Sequence, residues 1–216
     1  MLIFLLDMVV WPLVGGACFI FILHRAFLPH PLHHRWRYRR WQYSIAVGLG
    51  IALFVNWQTR SDIGTLIAAL STIWLFATQI YCCQLQKNAK LVAIPSIRKC
   101  NLAQVHLTSP KQTFDKQTYQ ELPLLLGHLA ELGIDTVTLT SPLFAKEGQQ
   151  RDLSRLQKHL SGVIENITVS KPPWHCAPLS MLALLFAKYG QQATALSQVD
   201  VMLWYQLTLT LKPPRK

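Results

Sequence analysis

Two hydroxyls, a lysine, an indole and an imidazole sit at the ends of β-rich runs in the latter part of this chain. Ser109 closes Val105-His-Leu-Thr-Ser-Pro110, and Ser141 closes the similar Val137-Thr-Leu-Thr-Ser-Pro142, 32 residues later. Lys171 follows Ile167-Thr-Val-Ser170 and leads through two prolines to Trp174 and His175. In an open parallel sheet, ligands bind outside the carboxyl ends of the strands. Ser109, Ser141, Lys171, Trp174 and His175 are therefore the candidate lining of a small anion or nucleotide site. The competing reading makes Ser-Pro and Lys-Pro-Pro strand terminators and helix caps.

Covalent or metal chemistry has little to build on. His175 and Cys176 are adjacent, and no third group orients a base toward a nucleophile. There is no glycine-rich phosphate loop, no G-x-S-x-G elbow and no H-E-x-x-H. Cys18, Cys82, Cys83, Cys100 and Cys176 have no disulfide or zinc spacing. His24, His30, His33 and His34 fit no usual ligand pattern, and Pro29 and Pro31 hold that stretch extended. The expectation is a protein without catalytic residues, metal or cofactor. The Asn166-Ile-Thr168 sequon lies within an expected strand and is read as chance.

The elements that would carry those strand ends alternate. A looser fourth copy of the β-rich run, Leu207-Thr-Leu-Thr-Leu-Lys-Pro-Pro214, follows the other three. Between the copies lie helical stretches at 116–132, capped by Thr113 or Asp115 and ended by Gly133, at 150–161, and at 179–189, opened by Pro178 and closed by Gly190. The last is apolar nearly all round, which predicts deep burial. The order βαβαβαβ predicts an α/β domain over 101–216 with a mostly parallel sheet. Val201–Leu211 alternates leucine with threonine, as a half-exposed, antiparallel edge strand would.

The first 83 residues differ in kind. Only 14% of the chain is charged, against about 25% in ordinary globular domains, and the apolar residues concentrate here. Runs at 1–23, 43–57 and 63–83 predict three transmembrane spans, or two if the short middle run does not cross. Residues 24–42 carry five arginines and no acid, as a cytosolic loop does. That loop sets the N-terminus outside and the α/β domain in the cytoplasm of a bacterial inner membrane, with residues 84–100 as a basic connector. Asp7 then lies near the outer interface. Arg35, Trp36, Arg37, Tyr38, Arg39, Arg40 and Trp41 are the expected membrane-interface residues, since aromatic rings and arginine both favour the head-group level.

Small residues recur every four positions: Ser44, Gly48, Ala52 and Asn56 in the second run, and Gly64, Ala68 and Thr72 in the third. Such faces let helices approach closely in lipid. They serve either as an oligomerising, pore-building seam or as the inside of a hairpin. Ser71, Thr78 and Gln79 add polar atoms that suit a protein–protein face.

The formal charge of +11 points to a polyanionic partner. Anionic lipid head groups are preferred over nucleic acid because a span begins directly after the arginine stretch. A second copy of the chain, or a cytosolic protein or ribonucleoprotein, is the other expected partner. In layout, residues 1–83 followed by 100–211 resemble small bacterial defence effectors that join a few membrane helices to a cytosolic domain, including transmembrane effectors of retron and cyclic-nucleotide anti-phage systems. That resemblance implies a non-enzymatic effector whose helices perturb the membrane. A tethered scaffold that recruits a cytosolic partner is the alternative, and a membrane enzyme acting on a phosphorylated or lipid substrate at the strand ends is the third.

Overall fold

The computed structural model describes residues 11–109, 112, 114–146, 149–172, 178–193, 196, 197 and 199–213. The chain divides into two units, 1–83 and 84–216.

In the first unit, helix α1 (Trp11–Phe27) is followed by the two-residue strand β1 (His30–Pro31) and helix α2 (Trp36–Thr59). Helix α3 (Asp62–Leu75) continues through a π-helical turn to Ile80, and β2 (Cys83–Gln84) lies at the unit boundary. The tight turn between α2 and α3 has local causes. Arg60 takes a left-handed conformation (φ 50°) and its N–H returns to the Asn56 carbonyl. Ser61 then caps α3 by accepting from the Gly64 N–H, as N-cap serines do.

Two expectations change here. The stretch 24–42 is not a loop throughout: its last residues, Trp36–Gln42, form the first two turns of α2. Nothing in that run breaks a helix, so it continues into the apolar segment. Nor do the described residues bear out three spans. One helix, Asp62–Ile80, is long and apolar enough to cross a membrane, with a mean hydropathy of 1.7. Helix α1 has 17 described residues, and residues 1–10 of the expected first span lie outside the described residues.

α2 and α3 pack as a hairpin along the small-residue face. Ser44 and Gly48 are buried and Ala52 is half-buried, whereas Asn56 at the end of the stripe is exposed. Gly64, Ala68 and Thr72 are half-buried. The approach is close at Gly48, where a Cβ would meet Ile73 Cγ1 at 2.3 Å and the Ala69 carbonyl oxygen at 3.2 Å.

The second unit is a mixed α/β fold. Its strands are β3 (Leu91–Pro95), β4 (Leu102–Leu107), β5 (Thr136–Ser141), β8 (Ile164–Ser170) and β9 (Tyr205–Leu211), in the order β3-β4-β5-β9-β8. A separate small ribbon pairs β6 (Ala145–Lys146) with β7 (Gln149–Gln150). All four β-rich copies are strands, but the sheet is not mostly parallel. Only β4 and β5 pair in parallel; β3–β4, β5–β9 and β8–β9 are antiparallel. The alternation does set direction, since β4, β5 and β8 all run the same way. β9 then inserts between β5 and β8, so it is not an edge strand, and it converts what would be a parallel neighbour pair into two antiparallel ones. The connector 84–100 contributes β3.

Helix α4 (Lys116–Glu131) packs on β3 and β9. It buries Leu122, Leu125, Leu126 and Leu129, a stripe at helical spacing. Asp115 caps it through the Thr118 N–H, and Gly133 (φ 77°) follows its end. Pro123 has no N–H for the Tyr119 carbonyl one turn back; the His159 ring donates to that carbonyl instead, at 2.8 Å. His159 belongs to α5 (Ser154–Leu160), which buries Leu156 and Leu160.

Helix α6 (Pro178–Leu185), extended by a π-helical turn to Gly190, is not deeply buried as its composition predicted. Ala187 is buried with Ala193 and Leu196, while Leu182, Phe186 and Tyr189 are exposed.

The cap also makes an acid-sensitive contact. The Lys90 ammonium, then the Thr118 N–H, lower the Asp115 carboxyl to about 2. A depressed carboxylate pKa adds stability above the unfolded value of about 4, and that stability is lost as pH falls toward about 2. Asp115→Asn keeps a capping oxygen but removes the charge. Its stability, followed by denaturant unfolding across pH 5 to 2, is expected to fall less steeply than that of the parent.

Candidate functional site

The candidate strand-end site starts from shared direction. Because β4, β5 and β8 run the same way, Ser109, Ser141 and Lys171 all fall toward one end of the sheet. β9 begins between them: Ser141 pairs with Tyr205, and Ser170 with Gln206. Lys171 is exposed and Ser109 and Ser141 are half-buried. Ser109 and Ser141 are each already engaged in an interaction. Trp174 and His175 lie outside the described residues. Among the described residues, no three His, Cys, Asp or Glu side chains are grouped to hold a metal.

The first unit holds a denser group. Strand β1 forms where the His30 N–H donates to the Cys82 carbonyl, at 3.0 Å. This places the His30 imidazole against Tyr43 (ring centroids 4.2 Å) and Tyr81 (5.0 Å). Tyr43 projects from α2 one turn after Arg39, and Arg39, Gln42, Tyr43 and Ala46 line an open cavity of about 430 Å³.

Burial, and then the charge of Arg39, hold His30 below its ordinary pKa, against the opposing effect of the Ala26 carbonyl. Burial, followed by the neighbouring Cys83, raises the Tyr81 phenol. Burial pushes the Cys82 thiol up to about 11 and Cys83 to about 12. Thiols so raised are poor nucleophiles at neutral pH.

The interface residues divide by helix face. Arg35, Tyr38 and Trp41 are exposed, Arg37 and Arg39 are half-buried, and Trp36 and Arg40 are buried. Helical geometry explains the division: Trp36, Arg40, Ser44 and Val47 share the buried side of α2. The His30–Tyr43–Tyr81 stack had no signal in the sequence, because its members are 13 and 51 positions from His30.

Comparison with protein-family models, with curated proteins and with solved structures gives no match.

Proposed function

We propose that the chain is a non-enzymatic, membrane-anchored binding protein, with α2 and α3 embedded as a hairpin and residues 84–216 facing the cytoplasm as the binding module. The observation that carries this reading is the outward surface of the hairpin. Leu49, Leu53 and Phe54 on α2, and Ile67, Leu70 and Trp74 on α3, are each more than 50% exposed. No residue of α3 up to Leu75 is buried. An apolar surface of that extent is one that water disfavours and lipid accepts. Arginines at the start of α2 favour the cytoplasmic side, and a hairpin returns the chain to that side.

An anchor is favoured over a pore-forming effector for two reasons. The small-residue face is used inside the hairpin, where α2 meets α3. In addition, the Ser71 and Thr78 hydroxyls donate to the Ile67 and Trp74 carbonyls of their own helix, at 2.6 and 2.8 Å, so neither needs a partner helix. For the second unit, the exposed Leu182, Phe186 and Tyr189 on α6 support protein contact rather than catalysis.

The full chain is expected to stay with the membrane through an alkaline carbonate wash. The double variant Leu53→Lys/Leu70→Lys should be released, because each charge at mid-helix costs about 2.5–3.5 kcal/mol. Release of the parent chain would refute the anchor. A fall in membrane potential, read by a voltage-sensitive dye when the chain is induced, would favour the effector.

A further inference from the structure

We propose that the cavity beside the first turns of α2 is a phosphate site, in which the Arg39 guanidinium and the Gln42 amide hold the phosphate of an anionic lipid head group. The proposal rests on the membrane reading above and deepens it, giving one side chain a ligand where composition gave only a basic stretch.

The cavity is bounded by a cation, an amide and a phenol: Arg39, Gln42 and Tyr43. The sequence places no acid between residues 8 and 61, so no carboxylate of α1 or α2 within that range competes for Arg39. Against Tyr43 lies His30, which is only 8% exposed, with Nε2 buried and without a hydrogen-bond partner. The His30 ring is kept neutral by burial and already holds the Ala26 carbonyl, so Nε2 is an acceptor that calls for a donor such as water and not for a phosphate oxygen.

Arginine presents a planar fork that matches two phosphate oxygens. Exposed Tyr38 and Trp41, on the same two turns, put the cavity at the depth where head groups lie. Phosphate oxygens accept hydrogen bonds from the Arg39 guanidinium and the Gln42 amide, and the lipid is the nearest source of phosphate.

The test uses the full chain in neutral detergent micelles, titrated with short-chain phosphatidylglycerol, short-chain phosphatidylcholine or inorganic phosphate, with binding read by calorimetry. Phosphatidylglycerol is expected to bind, and Arg39→Ala to weaken it about tenfold or more, as loss of a charge-assisted pair does. Arg39→Lys should fall between the two. Arg35→Ala removes the same charge from an exposed position outside the cavity, and its affinity should change less than about twofold. Equal losses in Arg39→Ala and Arg35→Ala would mean diffuse attraction and overturn the site, as would equal affinity for phosphatidylcholine. Inorganic phosphate binding as tightly as the lipid would support the phosphate chemistry and assign it to a soluble source. Because binding is read in micelles, its outcome is independent of the carbonate wash that tests the anchor.

Discussion

Gly48→Leu forces α2 and α3 apart. The first atom added, the Cβ, falls 2.3 Å from Ile73 Cγ1, 2.9 Å from Ile73 Cδ1 and 3.2 Å from the Ala69 carbonyl oxygen. Rotation about χ1 would move both isoleucine atoms, but a β-branched side chain in a helix has one strongly preferred χ1, and the Ala69 carbonyl oxygen is backbone and does not move with it. Overpacking by a methylene group typically costs about 1–3 kcal/mol, and leucine adds three further carbons. Loss of the hairpin is therefore expected, read as a lowered midpoint of denaturing-detergent unfolding. Gly48→Ala should show a smaller loss, restored in part by Ile73→Ala. Gly64→Ala is the control, because a Cβ there meets only Ser61, at 3.3 Å and beyond. Equal sensitivity at the two glycines would show that Gly48 is not a point of close contact.

In the second unit, Leu209→Ala carries the largest expected cost. Leu209 is fully buried in β9 and lies opposite Val137 of β5 on one side and Ile167 of β8 on the other. Leucine truncation in a core costs about 2–5 kcal/mol, from a total of about 5–15 kcal/mol for a typical domain. Trp204 offers a probe; its indole donates to the Val201 carbonyl at 2.7 Å in a buried setting. Denaturant unfolding followed by tryptophan fluorescence should show the loss. Thr208→Ala, one residue away on the half-exposed face, should shift stability by less than about 1 kcal/mol. Comparable losses would contradict the alternation of faces along β9.

Local signals carried far in this sequence, and non-local pairing did not. Helix 116–132 was legible almost to the residue, because cap, leucine stripe and terminal glycine all lie within one short stretch. The four β-rich copies were legible as strands for the same reason. Their neighbours were not, since nothing in Leu207-Thr-Leu-Thr states that it pairs with both β5 and β8. Leu91–Pro95 was hidden by the lysines and arginines around it, and a strand of five residues leaves little pattern to read. The small-residue spacing in α2 marked a face that includes the buried Ser44 and Gly48, but not whether the contact lies within one chain or between two. Strand direction alone puts Ser109, Ser141 and Lys171 toward one end of the sheet. The insertion of β9 separates Ser141 from Lys171, and no local feature foretold it.

The position of β9 also governs the order of events during synthesis. A ribosome makes β9 after every other strand of the sheet, yet β9 occupies the place between β5 and β8. Until Tyr205–Leu211 emerges, Val137 and Leu139 have no neighbour on that side, β5 keeps an open backbone edge, and β8, whose sheet partner is β9, has no strand to pair with. Such edges invite pairing with foreign strands. The nascent second unit is therefore most vulnerable to aggregation in the interval between completion of β8 and arrival of β9.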